Sequence, residues 1–145
     1  MHMMYFTEQP MSAYDAKAGL AYGATALTFS NSHFDPVEGS RLYNEYLEDY
    51  LLAEEYGADG IMLNEHHNAP FCMQAKTNIF ASILAATTKR VKIVILGNPL
   101  PLCDNPIRNC VVTSVCVTNS HGKCLIPCSS AKQRNRSSTG RGTCF

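Results

Sequence analysis

Gly60-Ile61-Met62-Leu63 runs directly into Asn64-Glu65-His66-His67-Asn68. Four apolar residues in a row, without alternation, describe a strand covered on both faces, as parallel strands are. The polar segment that follows then stands at the strand's C-terminal end. Upstream, Ser40 to about Tyr56 has helical spacing, with Tyr43, Leu47, Tyr50 and Leu51 on one face and Tyr46 and Ala53 beside it. Ser40 is placed to cap this helix and Gly57 to stop it. Downstream, Asn78 to Lys89 reads as a second helix with Ile79, Phe80, Ile83, Leu84 and Thr87 on one face. Lys89 and Arg90 suit its C-terminal end. Val91 to Leu96 is another apolar strand, ended by Gly97-Asn98-Pro99. Before the first helix, Thr25 to Ser30 is β-prone, and Asn31 to Gly39, with Pro36, is a loop.

The order β-α-β-α-β predicts an α/β fold with parallel strands and right-handed helical crossovers. Two architectures share this pattern: an open doubly wound sheet and a (β/α)8 barrel. Neither GxGxxG nor GxxxxGK[ST] follows a strand, which weakens a nucleotide-binding open sheet. A complete barrel usually takes about 200 residues or more. The barrel reading therefore makes this chain the truncated N-terminal portion of a TIM barrel.

The chain has 145 residues, 46% hydrophobic and 17% charged, which suits a domain with a real core. No run approaches the roughly 18–20 apolar residues that span a bilayer. Met1 to Gly19 is broken by Glu8, Pro10 and Asp15 and has no secretory core, so the expected location is cytoplasmic. The formal charge of zero argues against a globally basic nucleic-acid binder. It conceals a division. Residues 1–108 carry all 12 acids and seven of the 12 basic residues, a net of −5; residues 109–145 carry five basic residues and no acid, a net of +5. Five of the seven cysteines also lie after residue 108. Two segments follow: a β/α part over 1–108 and a Cys/Ser/Arg-rich, irregular tail over 109–145.

Chemistry in parallel α/β folds gathers at the C-terminal ends of the strands. Ser30 to His33, Asn64 to Asn68 and Asn98 fall at three such ends and would share one rim. Glu65-His66-His67 is the most reactive group. An imidazole moves protons near neutrality or offers a nitrogen to a metal, and Glu65 can orient an imidazole beside it. Adjacent histidines usually point apart and no HExxH spacing is present, so no metal is expected here. A solvated polar loop is the competing reading. Asn98 has an amide able to bind the edge of a polar heterocycle, or serves as a turn residue before Pro99. Tyr43, Tyr46 and Tyr50 are read as core and boundary packing.

Tyr5-Phe6-Thr7-Glu8-Gln9-Pro10, Asn64-Glu65-His66-His67, and Leu96-Gly97-Asn98-Pro99-Leu100-Pro101 leading to Asp104-Asn105-Pro106-Ile107-Arg108 occur in this order. In these motifs residues 5–108 resemble the N-terminal part of the bacterial-luciferase-like flavin-dependent monooxygenases. The resemblance implies a (β/α)8 barrel with flavin mononucleotide at the C-terminal ends of its strands. It implies reduced flavin, supplied by a separate reductase, and molecular oxygen acting on a small organic substrate. Some relatives use coenzyme F420 instead, and relatives commonly form homodimers. By the resemblance His66 acts in acid/base chemistry near the flavin. Glu65 and His67 complete its motif, and Asn98, Ser30 and Asn31 line the cofactor's mouth.

After Arg108 the chain departs from that family. A crossover helix is expected, yet Asn109 to Asn119 is β-branched and poor in helix formers. Ser120-His121-Gly122-Lys123 then returns at the family's spacing, where Ser-(Lys or His)-Gly-Arg precedes a fourth strand. Residues 109–145 are accordingly expected to be largely out-of-frame translation, a point that reading the nucleotide sequence in three frames decides. A second function class is a non-catalytic β/α module whose tail binds metal or nucleic acid. Cys116, His121, Cys124 and Cys128 would be the metal ligands, though without paired CxxC knuckles. Lys132 to Arg141 would be a basic arm, though with no aromatic to stack on bases before Phe145.

Overall fold

A computed structural model describes residues 1–12, 16–23, 28–67, 69–97, 107 and 125–127. The elements are β1 (Met4–Phe6), α1 (Ala16–Leu20), one 3-10 turn (Asn31–His33), α2 (Pro36–Glu55), β2 (Gly60–Leu63), α3 (Thr77–Thr87), β3 (Lys92–Ile95) and β4 (Leu125–Pro127). The strands form one sheet in the order β1-β2-β3-β4, and each pairs parallel with its neighbours. The alternating parallel β-α-β-α-β pattern expected from the sequence is therefore present.

Its first member is not the expected one. Thr28 to Ser30 do not form a strand, and Thr25 to Leu27 lie outside the described residues. Met4-Tyr5-Phe6 takes the strand position instead, in register with Gly60, Ile61 and Met62. The competing local chemistry explains the difference. Phe29 is fully buried and stacks on the His33 ring at 4.7 Å. The Ser30 hydroxyl accepts from the Ser32 amide at 3.2 Å and caps the 3-10 turn. A capping serine and a ring pair four residues apart favour a turn over an extended chain.

Helix α2 starts four residues earlier than Ser40. Asp35 is its cap, with Oδ1 accepting from the amides of Val37 at 2.8 Å and Glu38 at 3.2 Å. Pro36 does not break the chain here; it occupies the first turn, where its missing N–H costs nothing. Gly57 at φ +94° ends the helix, as its position suggested.

Alternation along the strands sends Ile61, Leu63, Ile93 and Ile95 to one face of the sheet. All four are fully buried against Phe80, Ala81, Leu84 and Ala85 of α3 and Tyr50 of α2. Both helices thus cover the same face. Tyr43 and Leu47 pack at the margin of this core, as read from the sequence. The α3 face is rotated from the expected one: Ala81 and Ala85 are buried, whereas Ile79 is 63% and Ile83 37% exposed. Small alanines let α3 sit close to the sheet, and the two isoleucines turn outward.

Helix α3 ends at Thr87, so Lys89 and Arg90 lie beyond it rather than on its last turn. Their backbone has another partner. The Glu54 carboxylate, one residue from the end of α2, accepts from the amides of Lys89 at 3.0 Å, Arg90, and Val91 at 2.9 Å. The Arg90 guanidinium donates to the Glu54 carbonyl at 2.9 Å. This clasp fixes the entry to β3.

Leu125-Ile126-Pro127 pairs with Ile93, Val94 and Ile95, so the tail is not wholly irregular. The β-branched stretch Asn109 to Asn119 lies outside the described residues. Among the described residues no helix is long and apolar enough to cross a membrane.

Candidate functional site

Chain direction places the residues after Phe6, after Leu63 and after Ile95 at one rim of the parallel sheet. The approach of the last two is close. A Cβ built on Gly97 would lie 2.7 Å from the Glu65 backbone nitrogen and 2.8 Å from its Cβ. Only glycine lets the end of β3 pass the Glu65 backbone in this way.

Glu65 is pinned. Its side chain is 2% exposed. Oε1 lies 2.8 Å from His67 Nε2 and 3.3 Å from Lys76 Nζ. Oε2 accepts from the Thr77 amide at 3.3 Å, and the Thr77 hydroxyl oxygen lies at the same distance. Helix α3 has Lys76 at its cap position, and the Lys76 side chain makes no capping hydrogen bond to the helix. The Glu65 carboxylate supplies the missing acceptor from outside the helix, where the macrodipole also favours an anion. Both its oxygens are thus engaged, and what it orients is His67.

His66 turns the other way. Its Nε2 stands 3.7 Å from Glu8 Oε2, and its side chain is about one-third exposed. Its ring meets Phe71 edge-on, with centroids 6.4 Å apart. Its backbone amide donates to the Gln74 carbonyl at 3.0 Å, which fixes the main chain beneath the imidazole. The two adjacent histidines therefore face separate carboxylates, in keeping with the expectation that they diverge.

Glu8 follows β1, and Asn64 sets its direction. Asn64 is 8% exposed; its Nδ2 donates to Glu8 Oε2 and its Oδ1 accepts from the Cys72 thiol at 3.5 Å. The Asn64 carbonyl accepts from the Thr77 hydroxyl at 2.8 Å. A chain of polar contacts thus runs from Cys72 through Asn64 to Glu8, ending beside His66.

Of the other expected residues, Asn31 joins the rim: its Nδ2 donates to the His67 carbonyl at 3.3 Å. Ser30 bonds within its own turn, to Ser32. Asn98 lies outside the described residues, as do the tail's Cys116, His121, Cys124 and Cys128. Among the described residues no group of three or more His, Cys, Asp or Glu is placed to hold a metal ion. A concavity of about 260 Å³ opens at the rim, lined by Asn31, Phe34, Tyr43, His66, His67 and Cys72, among others.

Glu8, Cys72, Lys76 and Thr77 were not given a site role by the sequence reading, and Asn64 entered it only as the first residue of the strand-end segment. Glu8 was within reach of its own logic, because it follows an apolar triplet as Asn64 follows β2. The three tyrosines behave as packing residues. Tyr50 is fully buried and accepts from Gln9 Nε2 at 2.9 Å, and Tyr46 donates to the Pro10 carbonyl at 2.6 Å. Tyr43 donates to the Met73 carbonyl.

Burial pushes the Cys72 thiol up to about 11, opposed by hydrogen bonding with the Gln74 backbone and the Asn64 side chain and assisted by the Glu8 charge. The folded protein thus disfavours the thiolate. Brief iodoacetamide treatment at pH 8 leaves the Cys72 peptide unmodified in the folded protein and alkylates it in urea, as peptide mass spectrometry will read. The sign for stability follows. The group's contribution is intact below the unfolded thiol's pKa, near 8.5, and is lost as pH rises toward about 11.

No protein-family model matches this chain, and no curated protein matches it.

Proposed function

We propose that residues 1–108 form the first part of a luciferase-like (β/α)8 barrel and that the reaction is a flavin-dependent monooxygenation. The observation that carries this reading is the Glu8–His66 pair. It joins the ends of β1 and β2 across one rim, with Asn64 fixing the carboxylate and Glu65 fixing the neighbouring loop. The quoted motifs supply the resemblance; the geometry supplies an imidazole about one-third exposed with a carboxylate beside it, as acid/base work requires.

The donor set fits the ring end of flavin mononucleotide. His66, His67 and Asn31 offer polar groups around a concavity whose other walls include Phe34 and Met73. A flat heterocycle with a polar edge suits such a lining. The phosphate end has no cationic partner among the rim residues described, since Lys76 is engaged by Glu65. When bound, reduced flavin supplies the electrons that activate oxygen toward the substrate. The chain's own residues hold and move protons. His66 Nε2 exchanges a proton with the reacting centre, Glu8 faces that nitrogen, and Asn64 keeps Glu8 in place. Glu65 holds His67 against the N-terminus of α3, which keeps the loop from drifting away from the ring. Coenzyme F420 would meet the same residues.

Titration of the 145-residue protein with flavin mononucleotide, followed by flavin fluorescence, tests this. Saturable binding that His66→Ala weakens about ten-fold, a loss of about 1.4 kcal/mol, is the expected result. Tyr46→Phe, away from the rim, should leave it unchanged. A protein that binds neither flavin mononucleotide nor F420 overturns the reading.

A further inference from the structure

Gly39 is the fourth residue of α2, and its amide donates to the Asp35 carbonyl at 2.8 Å, so it belongs to the helical ladder. Glycine there gives up the helix propensity that alanine would supply. Its φ is not in the left-handed region, so the backbone does not call for it. Space does. A Cβ built on Gly39 would lie 2.6 Å from Phe34 Cζ and 2.8 Å from Phe34 Cε2. Phe34 directly precedes the Asp35 cap. From that place an apolar side chain ordinarily reaches an apolar partner on the fourth helical residue. Here the partner has no side chain, and the ring rests on the helix backbone.

Beyond the ring lies the rim. Phe34 lines the concavity of about 260 Å³ together with Asn31, His66 and His67, and Gly39 is not among its lining residues. The ring therefore stands between the helix and the concavity, and its depth on Gly39 sets how much of that space is open. Its backbone is held from both sides. The Phe34 amide donates to the Asn31 carbonyl at 3.0 Å, and the next residue is the Asp35 cap. Asn31 Nδ2 donates to the His67 carbonyl, so one residue ties the turn that carries the ring to the histidine loop.

We infer that Phe34 is the wall on which a flat ring lies in the rim, and that Gly39 seats Phe34 low enough to leave a slot for that ring beside His66 and His67. The apolar face of the ligand meets the aromatic wall, and its polar edge meets the imidazoles and Asn31. The space is smaller than the range of about 300–1,000 Å³ that takes a whole drug-sized molecule, so it takes the ring and leaves the rest of the ligand outside. For flavin this rests on the function proposed above; the same wall serves any flat heterocycle of that size.

Two titrations of the 145-residue protein test it. One uses flavin mononucleotide, read by flavin fluorescence. The other uses benzimidazole, a bare flat heterocycle, read by the ring resonances of 13C-labelled phenylalanine. The expected result is that benzimidazole shifts the Phe34 resonances and that Gly39→Ala and Phe34→Leu each weaken both ligands about ten-fold. Gly39→Ala keeps its far-UV circular dichroism, since alanine favours the helix. The double variant binds no more weakly than Phe34→Leu alone, because leucine lacks the ring atoms that alanine would meet. If Phe34→Leu loses its secondary structure, Gly39→Ala and the labelled ring of the unaltered protein decide. If only flavin mononucleotide binds, its affinity for the variants decides. Affinities unchanged in Phe34→Leu overturn the wall and leave the flavin reading standing. A double variant weakened about 100-fold, the product of the two, overturns the seat on Gly39. Benzimidazole shifts at Phe34 without binding of flavin mononucleotide or F420 support the wall and overturn the flavin reading. A protein that binds none of the three overturns both.

Discussion

Glu65→Ala costs the fold about 2–3 kcal/mol, the range for leaving a buried amide without its charged acceptor. The carboxylate is almost entirely buried and engages three groups, His67 Nε2, Lys76 Nζ and the Thr77 amide. Alanine leaves the Thr77 amide, at the start of α3, without its acceptor. Thr77 is itself fully buried, so water does not easily replace it. Glu65→Gln keeps an acceptor oxygen and loses the charge, so its cost should be smaller, about 1–2 kcal/mol. Urea unfolding followed by circular dichroism reads both. A Glu65→Ala protein as stable as the parent would show that this carboxylate does not anchor α3. The two substitutions also separate structure from chemistry. A variant that keeps its stability and loses flavin binding would point to a direct role of Glu65 at the rim.

Glu54→Ala produces the second large loss, about 2–3 kcal/mol, because three successive backbone amides lose a charged acceptor. Those amides, of Lys89, Arg90 and Val91, lie 35–37 residues further along the chain than Glu54. Glu54→Gln retains one carbonyl oxygen and should recover part of the loss. Thermal unfolding checks both, and the alanine variant should also show faster amide exchange at residues 89–91. Equal exchange in the two proteins would mean that the loop before β3 is held by something else.

Much of this architecture is legible in the sequence, for identifiable reasons. β2 and β3 are short apolar runs bounded by polar or turn residues, and α2 has a tyrosine and leucine stripe long enough to show its period. The first strand is not legible, because three residues give no periodicity and Thr25 to Ser30 has the stronger β composition. Phe29 and Ser30 satisfy themselves locally, and that is invisible to a propensity scale. The turn of α3 is misread for another reason. Isoleucine signals burial by hydrophobicity, but close helix–sheet packing selects alanine, so Ala81 and Ala85 go inward and Ile79 outward. At the site, strand ends mark the location, and divergent histidines follow from adjacent positions on a chain. The engagement of Glu65 with α3 depends on a residue 12 positions away, and that of Glu8 with Asn64 on one 56 away. Neither spacing carries a local signal.

The passage of Gly97 over the Glu65 peptide gives the rim a stiff side. On the stiff side, the ends of β2 and β3 touch backbone to backbone, with no side chain between them to change rotamer. That half has little room to breathe and should be among the last parts to open in native-state exchange. On the other side, β1 is three residues long, and among the described residues it pairs with β2 alone. Glu8 stands on this side and His66 on the stiff one. Asn64, at the end of β2, ties the Glu8 carboxylate to the stiff side, and the fully buried Gln9 anchors the chain just beyond it. A ligand entering the rim would meet a histidine and a carboxylate held at a set spacing.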